Sequence, residues 1–102
     1  MKADYDSEAD AILIEIEEVD HWDDVETVDD AMHCQVALRD RRPVGLTLRY
    51  PREEPHLLER AAERFDLDAV CLLATTQAAL AAPDREVKVE VDPRMLPGSK
   101  AA

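Results

Sequence analysis

Residues 5–18 read YDSEADAILIEIEE, and the way this stretch folds decides how the rest of the chain is read. From Ala11 to Glu17 the residues alternate, with Ile12, Ile14 and Ile16 on one face and Leu13, Glu15 and Glu17 on the other. A period of two belongs to a half-buried β-strand, not to a helix. The Asp and Ser residues ahead of the run close tight turns readily, because their side chains bond neighbouring main-chain groups. The stretch therefore predicts a hairpin: an extended piece from Lys2 to Tyr5, a turn, and a strand whose Ile14 faces the core while Glu15 faces water.

Working outward, Glu26 to Val28 make a weaker strand, Cys34, Val36 and Leu38 a stronger one, and Val44, Leu46, Leu48 and Tyr50 continue the alternation. Together they predict an antiparallel β-meander of about four strands with one wet face. In the connection RDRRPVG, Pro43 fixes φ at the end of the turn. Gly45, one of two glycines, lies inside the next strand, where glycine marks a bulge or a close main-chain approach. The period then changes. Beyond Pro55, Leu57, Leu58, Ala61, Ala62 and Phe65 recur at three and four residues, the spacing of an amphipathic helix expected to cover the Ile12, Ile14, Ile16 face. Asp68 suits the N-cap of a second helix from Ala69 to Ala82, ended by Pro83. Val87, Val89 and Val91 alternate with charges as a final strand. The expected class is α+β, one domain over residues 1–92: sheet in 1–50, helices in 54–82, last strand in 86–91, and a loose tail over 93–102.

Charge is distributed unevenly. The net charge is -12, yet residues 1–30 hold 13 Asp or Glu against the single base Lys2, while residues 31–102 hold 11 of each sign. A net charge of this sign argues against nucleic acid and anionic membranes as partners, since those bind through Lys and Arg. It is read either as a solvated face or as a surface for a basic partner. No basic start leads into a long apolar stretch, so a cytoplasmic protein without a membrane span is expected. Cys34 and Cys71 lack metal or redox spacing and are read as core residues.

Two clusters of chemistry-bearing residues stand out. Asp6, Glu8 and Asp10 lie close together, but paired-carboxylate chemistry needs one acid raised by an apolar pocket, which a turn does not supply. The segment EEVDHWDDVE gathers Glu17, Glu18, Asp20, His21, Asp23, Asp24 and Glu26 around Trp22. It could hold a divalent cation through oxygens, or a transition metal through His21, although the spacing is not that of an EF-hand. His33 and Cys34 are adjacent in a strand and so point to opposite faces. No catalytic, cofactor-binding or metal-ligating residue is assigned from these patterns.

The motifs YDSEADAILIEI and VALRDRRPVGLTL resemble a small, mostly bacterial domain family of unknown function, the one numbered 2283. Its members open with Tyr-Asp, three residues and Asp-Ala before an alternating strand, and close on a hairpin leading to Gly-Ile-Glu-Ile. Tyr5, Asp6, Asp10, Ala11 and Gly45 fall on that pattern, over roughly the first fifty residues. Thr47 stands where the family commonly has Glu, residues 40–43 replace an Asp-Gly turn, and Ile14 stands near a frequent Tyr. The resemblance implies a four-stranded sheet domain and, for members encoded beside small basic toxin-like proteins, an antitoxin role.

Two functions of different class follow as expectations. One is a non-enzymatic, antitoxin-like interaction module that neutralises a basic protein partner. The other is a metal-dependent or small-ligand-binding enzyme using the loop around His21. Assembly is expected as well. The helix from Ala69 to Ala82 carries no charge in a chain that is 35% charged, which predicts a homodimer or higher oligomer built through it, with Leu72 in the interface.

Overall fold

The computed structural model describes residues 1–19, 24–37 and 40–90. Five strands, β1 (Lys2–Asp6), β2 (Ala11–Glu15), β3 (Asp24–Asp29), β4 (Met32–Val36) and β5 (Pro43–Arg49), precede two helices, α1 (His56–Phe65) and α2 (Ala69–Ala81). A last strand, β6 (Glu86–Lys88), follows. The α+β class is as expected, an antiparallel sheet followed by two helices and a C-terminal strand.

The order across the sheet is β3-β4-β5-β2-β1-β6. Meander connections hold from β3 to β5, and β1 and β2 form the hairpin, but β5 lies between β4 and β2 where a continuous meander would have put β3. Hydrophobicity accounts for the order. The apolar runs of β2 and β5 sit at the centre, while the acidic strand DVETVD and the three-residue β6 take the edges, where an unpaired ladder is best left charged or short. Arg64 and Arg60, both from α1, also donate to the main-chain carbonyls of Thr27 and Val28, at 3.0 and 3.3 Å, on the β3 edge.

Ile12 pairs with Tyr5 and Leu48, and Ile14 with Ala3 and Leu46, so these rows share one face and form the core with Met32 and Cys34. Leu13 stays 50% exposed on the other. The expected register of β2 is the observed one. Leu57, Leu58, Ala61 and Ala62 of α1 are buried as the spacing predicts. Asp68 caps α2, its carboxylate accepting from the main-chain N–H groups of Val70 and Cys71 at 2.9 and 3.3 Å.

Four expectations are corrected. The helix lying over β1 and β2 is α2, whereas α1 packs beside α2 and over β3, where its arginines meet the acids of that strand. Tyr50 does not extend β5: it takes a left-handed φ of 57° and its carbonyl accepts from Glu53 and Glu54, so the chain turns there toward α1. Leu72 points into this chain's own core with no exposed surface, and the outward stripe of α2 is Val70, Ala74, Gln77 and Ala81. Cys34 is buried as expected, but Cys71 is only half-buried. Leu38, Val91 and the tail over 93–102 lie outside the described residues.

Candidate interaction face

Because both helices pack on one side, the opposite face of the sheet is left to solvent, and its composition can be read from the strand registers. One row across it runs Glu86, Asp4, Leu13, Thr47, His33, Thr27. The next runs Lys88, Lys2, Glu15, Gly45, Gln35, Val25. Neighbours along such a row stand about 5 Å apart. Small residues occupy the middle of the face, Leu13 rises at its centre, and acids gather on the β1–β2 side.

The described acids of residues 1–30 divide in two. Glu17, Asp24, Glu26 and Asp29 are neutralised within the molecule. Arg42 grips Glu17 at 2.8 Å, Arg41 bridges Asp24 and Glu26 at 2.6 and 2.8 Å, Arg64 reaches Glu26 at 2.6 Å, and Arg60 meets Asp29 at 3.1 Å. Asp4, Asp6, Glu8, Asp10, Glu15, Glu18 and, in the β3–β4 turn, Asp30 form no ion pair among the described residues. Lys2, though opposite Glu15 in register, is 4.0 Å from Glu86. Asp30 apart, the uncompensated charge among the described acids is therefore concentrated on and beside the open face of β1 and β2.

The compensated acids have a pH signature. The hydrogen bond from Arg41 is the main reason that the Asp24 and Glu26 carboxyls lie below their ordinary values, with Val25 N–H and Arg64 respectively adding to it. A folded pKa below the unfolded one contributes stability that is complete above the unfolded value and is lost as pH falls through the folded value. Equilibrium denaturation should accordingly show stability falling below about pH 4, and Glu26→Gln should make that fall shallower. An unchanged acid limb in the variant would show that these pairs carry no linkage.

The turn between β1 and β2 is a hairpin device, as expected from its sequence. Asp6 accepts from the main-chain N–H groups of Glu8 and Ala9, at 3.0 and 3.2 Å. Tyr5, 4% exposed and packed into the core, donates its hydroxyl to Asp10 at 2.7 Å. That bond, ahead of burial, raises the Tyr5 pKa. Ser7 bonds Asp84 through its main-chain N–H and its hydroxyl, at 2.9 and 2.6 Å, tying the turn to the loop before β6. With Asp6 and Asp10 each engaged in holding the turn, the three carboxylates are not brought together as an acid–base pair.

Of the other cluster, Asp20, His21, Trp22 and Asp23 lie outside the described residues. Glu17, Asp24 and Glu26 are engaged by arginines, and no group of three or more His, Cys, Asp and Glu among the described residues could hold a metal ion. His33 faces outward with Nδ1 3.4 Å from the Thr27 hydroxyl, while the Cys34 thiol is buried behind it and pushed up to about 12, mainly by burial. That thiol stays protonated and inert near neutral pH.

What the sequence reading missed is Gln35. It is 8% exposed, its Nε2 donates to the Thr47 hydroxyl at 3.0 Å, and its Oε1 is buried with no partner among the described residues. The amide leans over Gly45: a Cβ at that position would sit 2.9 Å from Oε1 and 3.4 Å from the Ile14 carbonyl. A bulge at Val44, immediately before Gly45, accompanies this close approach. Gln35 thus lines a groove of about 270 Å³ with Leu13, Glu15, Val19 and Gly45. The one signal in the sequence was a glycine inside a strand, which announces a close approach but not the side chain that makes it.

The chain matches no family model, no curated protein and no solved structure. No helix among the described residues is long and apolar enough to cross a membrane.

Proposed function

We propose that this protein is a non-enzymatic interaction module whose open sheet face takes up a basic protein partner, in the way an antitoxin neutralises a basic toxin. The observation that carries this reading is the separation of charge: Asp24, Glu26 and Asp29 of β3 are internally paired, whereas Asp4, Asp6 and Glu15 surround the exposed Leu13 and form no ion pair among the described residues. An apolar centre within a charged rim is the usual anatomy of a protein contact, and uncompensated charge steers a partner of opposite sign. The resemblance to the family numbered 2283 points the same way through its members encoded beside basic toxin-like proteins. The test is binding to poly-lysine and poly-arginine across a salt series. The expected affinity falls steeply with salt, and Asp4→Asn with Glu15→Gln weakens it by about tenfold at low salt. Binding that ignores both salt and these substitutions would overturn the reading.

We further propose that α2 pairs with α2 of a second copy, leaving the acidic faces outward. Supporting this are the absence of any charge in its thirteen residues and an outward stripe led by Val70, which is 74% exposed. The expected solution mass by light scattering is a multiple of 11.5 kDa, starting at twice that value.

A further inference from the structure

Resting on the basic-partner reading, we propose that the groove floored by Gly45 is the anchor for an arginine side chain of that partner. In the second row of the open face, Glu15, Gly45 and Gln35 follow one another on β2, β5 and β4. The missing side chain at Gly45 leaves room for the Gln35 amide to lean over the strand, and the groove runs between that amide and the Glu15 carboxylate, whose strands stand about 9.5 Å apart. Glu17 at its rim is already held by Arg42 through three hydrogen bonds, so Glu15 is the carboxylate left to meet a ligand. Opposite it, the Gln35 amide donates from Nε2 to the Thr47 hydroxyl, and its Oε1 has no partner among the described residues. A buried polar atom without a hydrogen bond is a standing cost to the fold, and it identifies what the groove lacks.

The chemistry of the walls selects the occupant. Glu15 accepts and repels anions, Gln35 Oε1 accepts, and Leu13, Val19, Ile14 and Val44 supply apolar surface for an aliphatic stem. At about 270 Å³ the groove falls below the size usual for a drug-like ligand and suits one long side chain. Oε1 lies against Gly45 out of reach of water, and rotation of the Gln35 side chain, at the loss of its bond to Thr47, would turn it outward to a donor that fills the groove. A guanidinium carries donors on both edges of its plane and can bond Glu15 and Gln35 together, whereas an ammonium is a point charge with no such fork.

The experiment compares poly-arginine with poly-lysine of equal length, using the full chain, its Gln35→Met variant and its Gly45→Ala variant, with thermal melts as folding controls. The full chain is expected to prefer poly-arginine by about tenfold, equivalent to about 1.4 kcal/mol. Gln35→Met, which keeps the length but removes the amide, should abolish that preference while leaving salt-sensitive binding to both polymers. Gly45→Ala, whose methyl would displace the Gln35 amide from over Gly45, should do the same and carries the test alone if Gln35→Met fails to fold. In nitrogen-15 spectra, N-acetyl-arginine-N-methylamide should shift the Gly45 amide and the Gln35 side-chain signals, and the uncharged citrulline analogue should not. Equal affinity for the two polymers, or a preference that survives both substitutions, overturns the arginine anchor while leaving the acidic face standing. Binding of neither polymer at low salt is the separate result that overturns both.

Discussion

Ile14→Ala lowers the unfolding free energy by about 2–5 kcal/mol in equilibrium denaturation, whereas Leu13→Ala, one residue earlier on the same strand, lowers it by less than about 1 kcal/mol. Ile14 has no exposed surface, pairs across the sheet with Ala3 and Leu46, and belongs to the core that α1 and α2 cover. Truncation there removes transfer energy and leaves a cavity in a central strand whose neighbours are fixed by ladders on both sides. Leu13 is 50% exposed and closes no such space. Glu15→Ala, beside an unpaired carboxylate in an acidic region, should be neutral or slightly stabilising, even though the same residue contributes to binding. Because a strand has a period of two, a slip of one residue would exchange the two outcomes. Equal losses for Ile14→Ala and Leu13→Ala would mean that the two faces of β2 are not distinguished at all.

The residues that made the fold legible are those whose burial is local in origin. Ile12 and Ile14, and Leu46 and Leu48, alternate because each strand has one covered face, and Leu57, Leu58, Ala61 and Ala62 recur at helical spacing for the same reason. Asp68 could be named as a cap because capping involves only the next three residues. The order of strands was not legible, since alternation says that a strand has a neighbour and not which one. Placing β5 beside β2 follows from the comparative hydrophobicity of all six strands. The pairing of Arg41, Arg42, Arg60 and Arg64 with acids 15 to 38 residues earlier was hidden for the same reason. With those pairs invisible, the acidic N-terminal third read as one uniform pool. Its division into a neutralised edge and an uncompensated open face needs the tertiary structure. Gln35 was obscured differently: its place on the wet phase of β4 matched its polarity, and only the glycine across the ladder lets it become buried.

Leu72→Glu should leave the chain unfolded at room temperature, whereas Val70→Glu, two residues earlier on the same helix, should leave it folded. Leu72 has no exposed surface and lies in the core with Ala79, on the side of α2 that meets β1 and β2. A carboxylate placed there enters the apolar core cluster. Thr75 already gives its hydroxyl to the Cys71 carbonyl at 2.8 Å, and the single buried hydroxyl of Thr76 cannot replace the hydration of a charge. The loss of packing and the uncompensated charge together approach the entire stability of a domain of this size, about 5–15 kcal/mol. Val70 is 74% exposed in the first turn of α2, just beyond the Asp68 cap. An acid there meets solvent and the positive end of the helix, so the melting temperature should hold or rise slightly. That difference makes Val70, and not Leu72, the position at which assembly is decided. Lost assembly after Leu72→Glu would report only lost folding, but a drop from twice 11.5 kDa to 11.5 kDa in a folded Val70→Glu variant reports the interface itself. A wild-type chain already at 11.5 kDa at micromolar concentration, or a Val70→Glu chain that keeps the doubled mass, would remove α2 from any contact between copies.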